Sequence, residues 1–548
     1  MEKFIYDRDV TFADIYIVPT NPLEEQLEKK MSPEDSVRLK ELSQGMNSDR
    51  DQALRHPTTG NQQKALKSLQ AYERFVRQSA KFYGIGSRLS RDDVDLTPPR
   101  GDLSVTPIME ANMKTVVGRR NAEAIARVGG IAAIPQDKSD EEIAETIHYL
   151  RTRHPLYLTP VSISMDTKVH EFRRYLQKRD IDTAVVVDAN QRLLGVLSEA
   201  DLPHGINEDQ EVQNFVRTGD VVTAKDGITP LEAVDLMEQE HVHFIPVLNG
   251  GDEVVGILTK EHAAMLLRYK PNIEPMHGGL NFMVTVGALN RNPLARVQFL
   301  ASLGVRNILL DTANFDQGIE TYNNLESIRE AHPAMNILVG NIVTREAARR
   351  CIGAGADGLK TGVGPGYVCK TRVISGAGRP QGSSVFDTAE EAHIYGKYVV
   401  ADGGLDVLVP GDAGKAIGLG ADYIMAGSDF APVKESPPEL HRDDRGFYKE
   451  HRGMAEARSS MLRTHGRKDR TPLQKFRDIV GHRSEGVAIK KYQKGDLDST
   501  ADVHHAYCEG ITAAAGYCDA HTMQELQEKA RFGIQTIAGL DEGRPKKD

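Results

Sequence analysis

Eight short apolar runs, each ending in small or polar residues and followed by a helix-like stretch, constrain this chain more than any other feature. They span 105–113, 129–136, 283–287, 307–311, 336–341, 358–362, 398–404 and 422–428. Runs that are apolar on successive residues belong to strands buried on both faces, the habit of parallel sheets covered by helices. Eight of them alternating with helical patterns predict an α/β fold, a (β/α)8 TIM barrel. Such a barrel builds its active site at the strand C-termini, which singles out Asn112, Asp311, Asn341, Gly362, Asp402 and Ser428.

The barrel pattern is interrupted between its second and third strands by about 115 residues holding an internal repeat. Residues 192–201 match residues 253–262 at an offset of 61, and the strand-like runs 183–187 and 243–247 precede them. A tandem β-α-β-β-α unit inserted in a loop is the expected form. The repeat resembles a pair of cystathionine-β-synthase-type (CBS) motifs, a module that senses adenine or guanine nucleotides. Ser198 and Asp201 fit that family's ribose-binding Ser/Thr-x-x-Asp, whereas Thr259 to His262 depart from it in the second copy. The expected domains are 1–154 as the first part of the barrel, 155–272 as the CBS pair and 273–548 as the rest of the barrel. Within the first, residues 21–90 are charged and poor in glycine, and read as an insertion of one or two surface helices.

Length and charge narrow the function classes. A chain of 548 residues has room for roughly three to four domain-sized units, so a single small binding module is excluded. Its net charge of −10, from 68 basic and 78 acidic residues, leaves no positive excess for binding nucleic acid through its phosphates. No apolar run approaches the roughly 18 residues that span a bilayer, and the N-terminus lacks a signal-peptide pattern. A soluble cytoplasmic protein without membrane or nucleic-acid partners is the expectation. Four cysteines without paired CxxC spacing make neither a disulfide framework nor an evident zinc site. His504, His505 and Cys508 could contribute to a metal site, but a packed helix is the preferred reading.

The richest chemistry lies directly after the sixth strand, at Gly362-Val-Gly-Pro-Gly-Tyr-Val-Cys369-Lys-Thr371-Arg372 and on to Gln381. Glycines free backbone amides and carbonyls to face a ligand, and the loop delivers one cysteine to the barrel mouth beside a hydroxyl and a cation. A thiol in such surroundings ionises more readily and acts as a nucleophile. Asp402-Gly403-Gly404 and Gly427-Ser428 follow the seventh and eighth strands, where barrels seat a phosphate on backbone amides.

These motifs in this order resemble the IMP dehydrogenase / GMP reductase family. Further matches are Thr11 to Pro19, the Pro-Gly-Asp-x-Gly-Lys pattern at 410–415 and Arg452-Gly-Met454. The resemblance covers nearly everything outside 21–90. It implies a covalent adduct between Cys369 and purine C2, with Thr371 and Glu485 as a proton relay. It assigns substrate binding to Asn112, Met113, Gly366, Asp402, Gly403, Gly404, Gly427, Ser428, Gly453 and Met454. Asp311, Asn314, Gly340 and Asn341 would hold the nicotinamide cofactor, and the carbonyls of Gly362, Gly364 and Cys369 a monovalent cation such as K+. It further implies a homotetramer, or an octamer paired through CBS domains, with ATP or GTP as effectors.

Two reactions are open to such a site: NADPH-dependent reduction of GMP to IMP and ammonia, and NAD-dependent oxidation of IMP to XMP. The dehydrogenase activates water with an Arg-Tyr pair soon after the Arg-Gly-Met stretch, and residues 455–480 contain none. Ser484-Glu485-Gly486, Ala111-Asn112-Met113 and Asp311-Thr-Ala-Asn314 resemble reductases, and Asp95 to Pro99, Val116 to Arg120 and Glu542 to Pro545, with the CBS pair, resemble a CBS-containing bacterial branch of them. GMP reduction in purine salvage is therefore the leading expectation, with IMP dehydrogenation and a non-enzymatic nucleotide sensor as alternatives. Three positions depart from the family pattern: Tyr367 where a small residue is usual, Lys370 after the cysteine, and His451 where dehydrogenases often place a phosphate-binding Tyr. The bulky Tyr367 with Lys370 is expected to reshape the phosphate pocket, which leaves open a substrate other than an unmodified purine monophosphate.

Overall fold

The computed structural model describes residues 9–18, 23–82, 90–179, 182–453 and 487–543. All eight predicted strands form, as β1 (Ile108–Glu110), β2 (Ile131–Ile134), β3 (Met283–Gly287), β4 (Asn307–Asp311), β5 (Asn336–Ile342), β6 (Gly358–Thr361), β7 (Tyr398–Asp402) and β8 (Tyr423–Ala426). They pair in parallel in that order, and β8 closes back onto β1 with Ile424 opposite Ile108.

Strand geometry explains why the runs are apolar throughout. Alternate side chains point to opposite faces. Met109, Ala133, Met283, Leu309, Leu338, Val400 and Met425 fill the barrel interior, while Ile108, Ile134, Val284, Ile308 and Val399 pack under the surrounding helices. Side-chain caps start several of those helices: Ser139 and Glu142 form a reciprocal box, and Asn292 and Thr344 accept from Ala295 and Ala347 N–H.

Between β2 and β3 stand two three-stranded sheets. The first contains Ser162–Ile163, Thr183–Val187 and Leu193–Ser198; the second contains Ala224–Lys225, Phe244–Leu248 and Val254–Thr259. The long strands begin 61 residues apart, as the repeat requires. The two units are not identical, since the second ends in the helix Lys260–Arg268 and the first only in the 3-10 turn Glu199–Asp201. Val185, Val187, Val196 and Ile257 join them in a shared apolar contact.

The N-terminal segment holds three helices, Leu23–Lys30, Pro33–Arg55 and Thr59–Phe82, rather than one or two. Ser32 accepts from Asp35 N–H and Pro33 opens the next turn, so the chain breaks and restarts there. Leu27, Leu39, Tyr72 and Val76 give these helices a small core of their own. No helix among the described residues is long and apolar enough to cross a membrane.

Candidate active site

Barrel closure brings the ends of three other strands onto one lysine of β6. Lys360 Nζ on β6 lies 2.9 Å from Asp311 Oδ1 and 2.9 Å from Asp402 Oδ2, and donates to Asn341 Oδ1 at 2.6 Å. Asn341 Nδ2 in turn donates to Asp402 Oδ2 at 2.9 Å and to the Gly362 carbonyl at 2.6 Å, and Asn112 Nδ2 reaches Asp311 at 3.1 Å. Lys360 is only 3 % exposed. Burial disfavours its ammonium, but Asp311 and Asp402 more than offset that and hold its pKa above the ordinary value. The reading from sequence brought Asn112, Asp311, Asn341 and Asp402 together but missed the lysine that organises them. The signal was present: a lone cation in a strand buried on both faces requires a buried counter-charge.

The cysteine loop leaves β6 above this cluster. Gly362 has φ +142°, and a Cβ there would stand 2.4 Å from the Asp402 carbonyl, so the close approach of the β6 and β7 ends requires glycine. Gln381, the end of the motif and given no role by the sequence, pins the far end of the loop by donating to the Thr361 and Asp402 carbonyls at 3.0 and 3.1 Å. Between these anchors Cys369 is half-buried, its N–H bonded to the Gly366 carbonyl at 2.9 Å and its thiol donating to Thr371 Oγ1 at 3.2 Å. Cys351, Cys508 and Cys518 are fully buried. Burial pushes the Cys351 thiol up to about 12 and the Cys508 thiol well above its ordinary value, so neither is a nucleophile near neutrality.

Next to the cysteine loop lies a row of backbone donors. Gly403 and Gly404 sit at φ +80° and +77°, where glycine alone is at ease. Gly403 N–H is already bonded to the Met425 carbonyl at 3.1 Å, so it shapes the turn rather than offering a donor. The N–H groups of Gly404, Gly427 and Ser428 have no acceptor among the described residues. Ser428 Oγ is 3.3 Å from His451 Nε2, whose Nδ1 is 2.9 Å from Thr115 Oγ1. Met113 packs against Gly427. Gly453 N–H bonds to Val487 O, and Val487 N–H to Val368 O, so this edge also abuts the cysteine loop. Met454 and Glu485 lie outside the described residues, as does the 455–480 interval.

Three other expected sites are placed as follows. Asn314 uses its side-chain oxygen to cap Asp316 N–H at 3.2 Å. Gly340 packs against Lys360 inside the barrel. Asp201 Oδ2 already accepts from Ser198 N–H and Oγ and from Arg217. Ser198 itself lines a cleft of about 1280 Å³, which is also bounded by Thr183, Arg217, Phe244 and Thr259 of the repeat and by Arg120 and Arg127 of the barrel.

His504, His505 and Cys508 pack into their helix: His504 bonds to Thr106 and His505 to Tyr269, and no metal-binding cluster occurs among the described residues. Burial, with a contribution from Lys491, lowers the His451 pKa to about 3, and burial with His505 lowers that of His504 to about 3. Unfolded, both titrate near 6.5, so between about 6.5 and 3 the unfolded chain binds protons that the folded one refuses. Stability should therefore fall on acidification through that window, by about 1.4 kcal/mol per pH unit for each histidine. Urea denaturation at pH 7 and pH 5 checks this. His504→Asn should flatten the slope, and an unchanged slope would refute the assignment.

The IMP dehydrogenase / GMP reductase domain model matches residues 91–546. The chain belongs to this family of oxidoreductases. Among curated members, a GMP reductase of Mycobacterium tuberculosis is 33% identical over 458 residues, covering 83% of this chain and 93% of the relative. The inosine-5′-monophosphate dehydrogenase of Bacillus subtilis is 31% identical over 477 residues, covering 83% and 95%. Among solved structures, the GMP reductase of Trypanosoma brucei in complex with guanosine 5′-monophosphate superposes with a TM-score of 0.61 over 99% of both chains, at 24% identity. That likeness supports the shared fold. The three N-terminal helices precede the family match.

Proposed function

We propose that this family member reduces GMP with NADPH, giving IMP and ammonia. The observation that carries the reading is the Cys369 thiol bonded to Thr371 Oγ1 at 3.2 Å, at the mouth of the barrel. In this reading the Cys369 sulfur adds to purine C2 and the C2–N bond breaks. Amide ion is too basic to depart, so the amine must take a proton and leave as ammonia. Thr371 stands beside the sulfur and, with Glu485, relays that proton. NADPH, when bound, supplies the hydride that replaces the sulfur at C2.

The remaining residues bind and orient. Asp402, held by Lys360 and Asn341, accepts from the ribose hydroxyls. Gly366, Gly404, Gly427, Ser428 and Gly453 surround the phosphate on the turn shaped by Gly403, with Asn112, Met113 and Met454 against the nucleoside. Asp311, Asn314, Gly340 and Asn341 receive the nicotinamide. Asp311 and Asn341 suit that role because Lys360 and Asn112 fix their orientation. A K+ ion on the carbonyls of Gly362, Gly364 and Cys369 belongs to the same reading, although Asn341 already uses one lone pair of the Gly362 carbonyl.

Residues 155–272 are read as a regulatory CBS pair that takes ATP or GTP in the 1280 Å³ cleft beside Ser198. Arg217 would have to release Asp201 before it could hold a ribose. The rest of the reading is a cytoplasmic purine-salvage enzyme assembled as a homotetramer or octamer.

The enzyme is assayed in parallel with GMP plus NADPH and with IMP plus NAD, monitoring absorbance and ammonia. NADPH oxidation with equimolar ammonia is the expected result. NADH formation from IMP alone would replace this reading with IMP dehydrogenation, which identities of 31–33% to relatives of both names also accommodate. Turnover in either assay removes the non-enzymatic reading.

A further inference from the structure

Lys491 is a buried cation that Asp429 and Asp406 influence only from a distance, with no carboxylate paired to it among the described residues. It is 8 % exposed, on the strand Ala488–Tyr492 that pairs antiparallel with Gly446–Arg452, with Lys491 opposite Lys449 and Ile489 opposite His451. Residues that stand opposite one another, and those two apart along a strand, share a face. Lys491 and His451 therefore present the same buried face of the hairpin, and His451 reaches Ser428 of the phosphate loop. Lys491 is close enough to add to the depression of the His451 pKa.

What surrounds the ammonium does not neutralise it. The neighbouring acids Asp406 and Asp429 are taken by Lys494 at 3.1 and 3.0 Å, and Tyr507 also donates to Asp429 at 2.6 Å. No carboxylate lies within ion-pair distance of Lys491 among the described residues. Its contact is the Tyr367 ring, whose centroid is 4.1 Å from Nζ. Tyr367 is two residues before Cys369 and is itself 72 % exposed, so it covers the lysine from solvent like a flap. A ring face attracts a cation weakly and does not replace the water that burial removes. His451, being neutral, offers it no charge either. Such surroundings favour an anion, and the N–H of Ser428, the residue that His451 reaches from this face, has no acceptor among the described residues.

We propose that Lys491 is a specificity-determining ligand of the substrate's 5′-phosphate, its ammonium pairing with the dianion beneath the Tyr367 ring. This rests on the reading of the chain as a purine-nucleotide enzyme and deepens it. It also accounts for the bulk at position 367: the ring trades a small phosphate-binding side chain for one that seats a lysine.

Lys491→Met should raise the KM for GMP roughly 30- to 100-fold while leaving kcat and the NADPH KM unchanged, and Lys491→Arg should recover most of the loss. Inorganic phosphate should compete with GMP in the wild type and lose that competition in Lys491→Met. An unchanged GMP KM, or phosphate competition that survives the substitution, would overturn the proposal while leaving GMP reduction intact. If the wild type does not turn over GMP at all, the reading of function fails first, and protection of Cys369 from alkylation by inorganic phosphate becomes the test. Protection in the wild type that disappears in Lys491→Met sustains the phosphate role, and equal protection in both rejects it.

Discussion

Cys369→Ala should lower GMP-dependent NADPH oxidation by on the order of 10⁴-fold or more, with ammonia release falling in step. The size follows from the position of the thiol. It is the half-buried cysteine, bonded to Thr371 and carried on a loop pinned at Gly362 and Gln381. Cys351, Cys508 and Cys518 are fully buried and cannot reach a ligand at the barrel mouth. If carbon–sulfur bond formation precedes departure of the amine, both products disappear together, whereas GMP binding, measured by calorimetry, persists. Turnover within tenfold of the wild type would mean that the sulfur does not bond to the purine. Thr371→Val should be milder, since it removes a proton carrier and keeps the nucleophile.

Lys360→Met should destabilise the barrel by about 3–5 kcal/mol, because removing the ammonium leaves Asp311 and Asp402 facing each other without compensation. Urea denaturation measures the loss. Combining it with Asp311→Asn should recover a substantial part, since one of the two stranded charges is then gone, and the two changes should be clearly non-additive. GMP reduction should fall as well, because Asp402, Asn341 and Asp311 lose the group that orients all three. A loss below about 1 kcal/mol would show that the cluster does not depend on the lysine's charge.

The barrel was legible because burial on both faces writes a local pattern into each strand. The repeat was equally legible, since two copies of one unit preserve their spacing. The cysteine loop and its glycine turns could be located for the same reason: a Gly-rich loop directly after a buried strand is written in consecutive residues. The three N-terminal helices were undercounted because the Ser32–Pro33 break is a local cap inside one charged stretch.

Lys360 and Lys491 show where such legibility ends. Lys360 is 49 residues from Asp311 and 42 from Asp402, and only the closure of eight strands places it between them. Lys491 lies 124 residues after the tyrosine that covers it, across a hairpin whose register decides which face it presents. Sequence alone determined the eight barrel strands, the repeat, the loop that carries the thiol and the family, because each is encoded in neighbouring residues. Tertiary structure alone decided which of the described charges are paired and which side chains cover them, because an electrostatic partner is chosen by distance in space and by the water that packing excludes.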